Sequence, residues 1–353
     1  MAGFEYFNLR IVAPPFESPL TDLIIELDYL RKKKLYGSTP PFIFFQLKQI
    51  FHMLESIASA RIEGNNTTVA DYLETKIEKT GEGSYTLKEI ENMEECLGFI
   101  DDNIGSSSID RAFVSELHKR AVRDLPLPPD GEGDVTPGSY RTQNVSIKNS
   151  LHIPPDPVSV APYMDTLFQF IAASDSPKYD LLKIAIAHHR FVWIHPFGNG
   201  NGRTVRLFTY AMLIKYGFAV DKGRILNPAA VFCSQRSDYY NKLSLADTGT
   251  DENMLIWCEY VLTGLKNEIE KIDRLLEYPF LKEKILLPAI NYAIDRKFIT
   301  DIESKILKRT IEKQIIKASD LTDIIASNHK SERSRQIHRL KEKKMLMPLP
   351  ESP

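Results

Sequence analysis

Apolar residues recur every three or four positions along most of this chain, which is the pattern of amphipathic helices. Breaks rich in proline, glycine and asparagine separate the periodic stretches. We therefore predict a mainly α fold. Its helices are expected at residues 19–35, 42–62, 86–104, 110–122, 159–173, 179–194, 205–216, 234–246, 251–275, 302–316, 319–326 and 331–344.

Two segments interrupt the helical pattern. Residues 125–157 are rich in Pro, Gly and Asp, and residues 140–148 within them show some alternation of apolar and polar positions. This pattern predicts a loop with a short β-hairpin. The second interruption is the alternating glycine and asparagine run at residues 198–202, which lies between two predicted helices.

Composition narrows the class of protein. The chain has 353 residues, 43% hydrophobic and 26% charged, with a formal net charge of -2. This balance gives no overall electrostatic preference for nucleic acid or anionic membrane. We find neither a signal-peptide pattern nor about 18 consecutive apolar residues, so we expect a cytoplasmic protein with no membrane partner. The distant Cys96, Cys233 and Cys258 predict reduced thiols, not a disulfide framework.

The last part of the chain differs in charge. Residues 281–353 carry 16 Lys and Arg against 10 Asp and Glu, an excess of +6. The order of predicted helices there resembles a winged-helix unit, and its third helix carries several basic residues. We therefore expect a C-terminal domain over residues 281–353 with DNA or a protein as its partner. The basic residues of that helix are Arg333, Arg335, Arg339 and Lys341.

The glycine-rich run has the features of a phosphate-binding loop. Its glycines allow backbone N–H groups to converge, and a helix begins near Arg203 with its positive dipole end facing the same point. Arg203 and Arg206 lie on one face of that helix and can each clamp phosphate oxygens. His195 precedes the run and is the side chain there best suited to proton transfer near neutral pH.

Residues 195–206 resemble the signature of the Fic family, His-Pro-Phe-x-(Asp/Glu)-Gly-Asn-Gly-Arg-x-x-Arg. The resemblance implies a Fic-type helical bundle and transfer of AMP from ATP to a Tyr, Thr or Ser hydroxyl of a protein, with release of pyrophosphate. The matching positions are His195, Pro196, Phe197, Gly200, Asn201, Gly202, Arg203 and Arg206.

The resemblance also implies individual roles. His195 would be the general base, the backbone of residues 200–202 with Asn201 would hold the α-phosphate, and Arg203 and Arg206 would hold the outer phosphates. Asn199 stands where the family has a metal-binding acid. An amide offers Mg²⁺ one neutral oxygen, so we expect weaker metal binding. Its outcome would be slower transfer, an altered donor or an inactive nucleotide binder.

A second resemblance lies far upstream. Ser59, Glu63 and Gly64 match the family's inhibitory motif, (Ser/Thr)-x-x-x-Glu-(Gly/Asn). The resemblance implies that Glu63 pairs with Arg206 in the place of the γ-phosphate. In some relatives such a glutamate instead aligns a water that removes AMP, so a hydrolase is the alternative.

Two further segments resemble family elements. Residues 140–149 resemble the flap that pairs with a target strand, with Ser146, Ile147 and Lys148 at its centre. Residues 234–247 resemble the nucleoside-binding helix, which implies base or ribose contacts from its aromatic and acidic side chains. Those side chains are Tyr239, Tyr240 and Asp247.

We divide the chain into an N-terminal helical region (1–105) with the inhibitory motif, a Fic core (106–275) and the C-terminal domain. The favoured function is an autoinhibited adenylyltransferase that uses ATP and Mg²⁺ and acts on a target protein or on itself. The other alternative is a nucleotide-sensing DNA-binding regulator with a weakened Fic site. The expected partners include a second copy of the chain.

Overall fold

The structure of the protein is a computed structural model. The structure describes residues 4–32, 38–78, 84–147, 150–218, 228–325 and 330–348. The chain divides into two compact units. The first comprises Met1–Tyr36 and Pro41–Asp273, and the second comprises Gly37–Pro40 and Arg274–Pro353.

The described part of the first unit is helical. Local sequence explains individual boundaries: the Asp110 side chain, for example, accepts a hydrogen bond from the Phe113 N–H and caps the following helix. The helices are α1 (Pro19–Lys32), α2 (Pro41–Glu63), α3 (Val69–Glu78), α4 (Tyr85–Asn103), α5 (Arg111–Ala121), α6 (Pro157–Ala172), α7 (Asp180–Ile194), α8 (Asn201–Lys215), α9 (Pro228–Ser234), α10 (Arg236–Ala246) and α11 (Asp251–Asp273).

Helices α7 and α8 form the centre of this unit. All side chains of residues 181–191 and 203–213 are buried, because α7 packs against α6, α8 and α11 while α8 also packs against α4 and α5. A helix buried on all sides needs apolar or fully bonded side chains around its whole circumference. The short connection between α7 and α8 is therefore fixed at both ends by the core.

The second unit is also helical where it is described. Thr300 and Glu303 form a capping box at the start of one helix, and Ile306, Leu321 and Leu340 lie at the centre of a small core. Its helices are α12 (Tyr278–Leu281), which continues through a π-helical turn (Lys282–Leu286) into α13 (Leu287–Asp295), then α14 (Asp301–Lys313) and α15 (Lys330–Glu342).

The mainly α fold class is confirmed, with two kinds of difference. Helices α3, α9, α12 and α13 were not predicted, and α8 begins at Asn201, before the expected position. Residues 140–147 are irregular, and no strand occurs in the described residues of either unit. The hairpin and the winged-helix fold thus remain predictions, and Lys148 lies outside the described residues. Among the helices that the structure describes, none is long and apolar enough to cross a membrane.

Candidate active site

The connection between α7 and α8 is a tight, internally bonded loop. His195 ends α7 in the left-handed backbone region (φ 52°), and Gly200 adopts the same region (φ 71°) just before α8 begins. The Asn201 side chain accepts a hydrogen bond from the Phe197 N–H at 2.9 Å and donates one to the Phe197 carbonyl at 2.9 Å. Asn201 therefore fixes the loop with its side chain, which leaves its backbone N–H available to a phosphate.

One side of the loop packs against His118 of α5. The Phe197 ring stacks on the His118 ring with 3.8 Å between centroids, and both side chains are buried. His118 Nδ1 accepts a hydrogen bond from the Gly138 N–H at 2.8 Å, so its Nε2 must donate to the Asn199 carbonyl at 3.0 Å. Burial lowers the pKa of His118 to about 4, so this neutral arrangement holds at physiological pH.

His195 has the properties of a proton acceptor. Its Nδ1 faces the Val192 carbonyl at 3.3 Å and carries the hydrogen in that contact, which leaves Nε2 with a free lone pair. Burial lowers the pKa of His195 to about 4, and the positive charge of Arg141 adds to this effect. The imidazole is therefore neutral at pH 7 and able to accept a proton.

Arg141, which the sequence analysis did not identify, holds the backbone around His195. Its guanidinium is 4% exposed and donates to the carbonyls of His195 (2.8 Å), Ile194 (3.3 Å) and Pro155 (2.5 Å). These acceptors belong to the end of α7 and to the segment before α6. Arg141 thereby binds the unpaired carbonyls at the end of α7 and fixes the left-handed turn at His195.

The start of α8 presents a cluster of positive groups. The N–H groups of its first turn have no partners within the helix, and the helix dipole adds positive potential there. Arg203 is 1% exposed, and its guanidinium donates to the carbonyls of Ala121 (3.4 Å) and Glu132 (2.5 Å). Glu89 Oε1 lies 3.5 Å from Arg203 Nη1. This end of the loop is therefore built to hold an anion.

A carboxylate already occupies the space above this helix start. Glu63, the last residue of α2, accepts a hydrogen bond from Arg206 Nη2 at 2.7 Å. A Cβ atom at Gly202 would come within 2.1 Å of Glu63 Oε1, so the absence of a side chain there makes room for the carboxylate. Burial works to raise the pKa of Glu63, but the charge and hydrogen bond of Arg206, together with the charges of Arg203 and Arg236, outweigh it and lower that pKa.

Ser59, one helical turn earlier, completes the contact between α2 and Arg206. Arg206 Nε donates to the Ser59 hydroxyl at 2.7 Å, and Nη2 donates to the Ser59 carbonyl at 3.0 Å. Ser59 is fully buried, and Arg206 is 1% exposed. The structure thus brings together Ser59, Glu63 and Arg206, although Arg206 lies more than 140 residues after the other two in the chain.

The predicted nucleoside residues divide into two groups. Tyr239 is buried and its hydroxyl lies 3.0 Å from His188 Nε2, whereas Tyr240 is 42% exposed. Asp247 Oδ1 lies 2.9 Å from His189 Nε2, so this carboxylate already has a partner within the protein. Of the three, Tyr240 is the side chain most available to a ligand, and the contacts of all three with a base remain predictions.

Asn199, the predicted metal ligand, is hydrogen-bonded to the segment before the predicted flap. Asn199 Nδ2 donates to the Gly133 carbonyl at 3.1 Å and to Glu132 Oε2 at 3.3 Å. In the flap, Ser146 is exposed and Ile147 is half-buried. Among the described residues, no group of three or more His, Cys, Asp or Glu side chains is arranged to hold a metal ion.

Residues 108–213 match the family model described as the Fic/DOC family. This segment is a Fic domain. Curated relatives named protein adenylyltransferase Fic include one from Nematostella vectensis, 28% identical over 200 residues, and one from Drosophila mojavensis, 30% identical over 203 residues. Each match covers 54% of this chain but 42% and 36% of the relatives, so this chain matches less than half of their length.

Solved structures of Fic proteins share the fold. A Fic family protein from Desulfovibrio desulfuricans superposes with a TM-score of 0.60 at 19% identity, covering 95% of this chain and 94% of its own. A Fic-domain signaling protein from Bacteroides thetaiotaomicron gives a TM-score of 0.57 at 18% identity, covering 73% of this chain and 98% of its own. The fold of the Fic domain is therefore established independently of the short motif.

Proposed function

We propose that this chain is an autoinhibited protein adenylyltransferase that moves AMP from ATP to a protein hydroxyl. The observation that supports it most directly is that the two chemical groups lie at opposite ends of one short loop. A neutral His195 lies at one end, and the start of α8, which is suited to bind an anion, lies at the other. The names of the curated relatives point to the same reaction. The resemblance of residues 195–206 to the Fic signature supports ATP as the donor of AMP.

The chemistry follows from the positions of these groups. His195 Nε2 accepts the proton of the target hydroxyl, and the hydroxyl oxygen forms a bond to the α-phosphorus. The bond from that phosphorus to the bridging oxygen of the β-phosphate breaks, and pyrophosphate leaves with its electron pair. The helix start and Arg203 stabilise the negative charge on the phosphates, which is the main requirement of such transfers.

Mg²⁺ would depend here mainly on oxygens of the nucleotide phosphates and on the neutral amide oxygen of Asn199. The contact of Asn199 with Glu132 is made through Nδ2, and no metal-binding group of side chains occurs among the described residues. When bound, the ion would neutralise charge on the phosphates of ATP. Hard oxygen donors of this kind, supplemented by phosphate oxygens, are what Mg²⁺ prefers.

Glu63 would restrain this activity by competing with ATP. Its carboxylate pairs with Arg206 above Gly202, where an outer phosphate would otherwise bind. A hydrogen bond to a charged group contributes about 1.5–3 kcal/mol, which corresponds to about a 10- to 100-fold change in affinity. We infer that Glu63→Gly tightens ATP binding by about this factor.

The test compares wild type, Glu63→Gly and Glu63→Gln for labelling of protein by ATP carrying a labelled α-phosphate. We expect strong labelling with Glu63→Gly, an intermediate level with Glu63→Gln, and none when His195→Ala is added. Calorimetry with a non-hydrolysable ATP analogue measures affinity in the same variants. Equal labelling and equal affinity in wild type and Glu63→Gly would refute the autoinhibition proposal.

The same variants separate the transferase from a hydrolase that removes AMP. Glu63 lies beside Gly202 at the proposed phosphate site, where a carboxylate can also align a water molecule. A hydrolase would lose AMP release from a modified protein in Glu63→Gly and would gain no labelling. We favour the transferase because Glu63 is hydrogen-bonded to Arg206, which suits a competitor of an outer phosphate better than a residue that must orient a water molecule.

DNA binding by the C-terminal unit is the less favoured proposal. Arg335 forms an ion pair with Glu332, and Arg339 Nε lies 3.5 Å from Glu303. These pairs reduce the positive charge that α15 presents to phosphates. Binding of a labelled duplex that weakens steeply with salt would support a DNA partner, whereas salt-independent or absent binding would exclude it.

A further inference from the structure

The chain leaves helix α2 through Gly64 and Asn65, directly after Glu63. Gly64 has a left-handed backbone (φ 109°), and its N–H donates to the Arg61 carbonyl at 3.1 Å. The Asn65 N–H donates to the Ala60 carbonyl, also at 3.1 Å. These two bonds form a Schellman motif, which fixes the direction of the chain after the helix. Asn65 is therefore placed to hold the end of α2 against a neighbouring element.

The side chain of Asn65 ties α2 to the start of α4. The residue is buried, and its Nδ2 donates to the Thr86 carbonyl and to Glu89 Oε2, both at 2.8 Å. Its Oδ1 accepts from the Thr67 N–H at 3.0 Å. Thr86 and Glu89 lie near the start of α4. Two acceptors face Nδ2 and one donor faces Oδ1, so these partners also set the orientation of the amide.

Glu89 extends this connection to the start of α8. The residue is 3% exposed, and its Oε1 lies 3.5 Å from Arg203 Nη1. In the part of the chain that the structure describes, Oε1 has no hydrogen-bond partner, whereas Oε2 has Asn65. Burial raises the pKa of Glu89, and the charge of Arg203 and the hydrogen bond from Asn65 act against this rise. The buried carboxylate therefore depends on both neighbours.

The end of α2 thus contacts both arginines of the loop by two separate routes. Glu63 pairs directly with Arg206, and Asn65 reaches Arg203 through Glu89. One residue lies between Glu63 and Asn65, so the backbone of Glu63 cannot move far while Asn65 stays bound. Breaking the bond between Asn65 and Glu89 would leave buried polar groups without partners, which is costly.

We propose that Asn65 is a positioning residue for the Glu63 carboxylate, and that its hydrogen bond to Glu89 keeps α2 in the inhibiting position. Without this bond the last turn of α2 is less firmly held, and Glu63 spends part of its time away from Arg206. A phosphate of the nucleotide then meets less competition. This inference rests on the proposed function, because it requires Glu63 and a nucleotide to compete for one place.

The experiment compares the full chain of wild type, Asn65→Ala and Asn66→Ala. Asn66 is an exposed neighbour and supplies the matched control. Calorimetry measures the affinity for a non-hydrolysable ATP analogue. Asn65→Ala should raise this affinity about three- to tenfold, because a hydrogen bond that restrains the competing carboxylate is lost. Asn66→Ala should change it by less than about twofold. Equal affinities in wild type and Asn65→Ala would refute the proposal.

The effect of Asn65→Ala should depend on Glu63 and on Glu89. In the Glu63→Gly background the competitor is absent, so Asn65→Ala should change the affinity by less than about twofold. A general distortion of the site would instead change the affinity in both backgrounds, and that result would overturn the proposal. Beside Glu89→Ala, Asn65→Ala should lose most of its effect. A full effect there would overturn the role of Glu89 and assign the restraint to the Thr86 contact.

Hydrogen exchange at the end of α2 gives a readout that needs no nucleotide. The amides of residues 60–65 should exchange faster in Asn65→Ala than in wild type, because the last turn loses its connection to α4. They should be unchanged in Asn66→Ala, and unchanged exchange in both variants would contradict the proposal. Circular dichroism shows whether each variant is folded. If Asn65→Ala is unfolded, Asn65→Ser, whose side chain is too short to reach Glu89, takes its place.

A failure of the proposed function gives a different result. If Glu63→Gly binds the ATP analogue no more tightly than wild type, the proposed autoinhibition fails. If Glu63→Gly binds it more tightly but Asn65→Ala and Asn66→Ala have equal affinities, the role of Asn65 alone is wrong.

Discussion

The two ends of the loop between α7 and α8 are held by different kinds of contact. At the first end, Arg141 donates to backbone carbonyls around His195, and a ligand cannot replace those acceptors. At the other end, Arg206 pairs with the carboxylate of Glu63, whose place a phosphate takes in the proposed function. The difference indicates that the proposed proton-accepting end is preformed, whereas the proposed anion-binding end is subject to competition.

The largest effect should come from weakening the first end. Arg141→Lys keeps the charge but lacks the planar fork that reaches several carbonyls at once. In the Glu63→Gly background we expect kcat to fall about 10- to 100-fold, because small displacements of a reacting group have effects of this size. Nucleotide affinity should stay unchanged, which separates positioning of His195 from ligand binding.

The matched control for Arg141 is Arg123→Lys, which alters an arginine paired with Glu95 at the surface. It should leave kcat within about twofold of the background protein. Steady-state labelling rates and calorimetry supply the two readouts. A fall in nucleotide affinity that accounts for the whole loss in Arg141→Lys would contradict the comparison between the two ends.

A smaller effect is expected at the second end. Ser59→Ala removes the hydroxyl that accepts from Arg206 Nε but leaves the Ser59 carbonyl in place. In the Glu63→Gly background, nucleotide affinity should fall about three- to tenfold, since one such bond contributes about 0.5–1.5 kcal/mol. A rise in affinity would instead show that Ser59 acts with Glu63 as an inhibitory residue.

The smallest effect concerns pH. An ordinary histidine is mostly protonated at pH 6 and would lose about three quarters of its neutral form. Burial lowers the pKa of His195 to about 4, so its neutral form should persist from pH 8 to pH 6 and be lost only as the pH falls toward 4. Titration of the histidine ring nitrogens by NMR, with His195→Gln for assignment, measures this directly. A midpoint near 6.5 would mean that the site is open to water.

The sequence predicted those residues of the site that lie close to one another in the chain. His195 and Arg206 lie within one motif, so their spacing along a turn and a helix determines their relation. Glu63 was connected to Arg206 only by the family resemblance, because nothing in the helical periodicity of α2 indicates its partner. The direct hydrogen bonds between α2 and Arg206 bear out that connection in the structure.

The rest of the site depends on long-range packing. Arg141 and Glu132 lie in an irregular segment, where no periodicity tells which side chains turn toward α8. The signal that could have identified them is the length of that segment, since long connections within compact domains are commonly functional. The side chain of Asn201 was assigned to phosphate, yet it closes the loop on Phe197, which spacing alone does not reveal.

The absence of a side chain at Gly202 limits which substitutions the protein can accept during evolution. The Glu63 carboxylate lies where a side chain at Gly202 would begin, and the proposed outer phosphate requires the same space. Any replacement at Gly202 would therefore exclude the proposed phosphate together with the Glu63 carboxylate. Substitutions that relieve the proposed inhibition but keep the activity should therefore arise in α2. Glu63 should accordingly tolerate replacement better than Gly202.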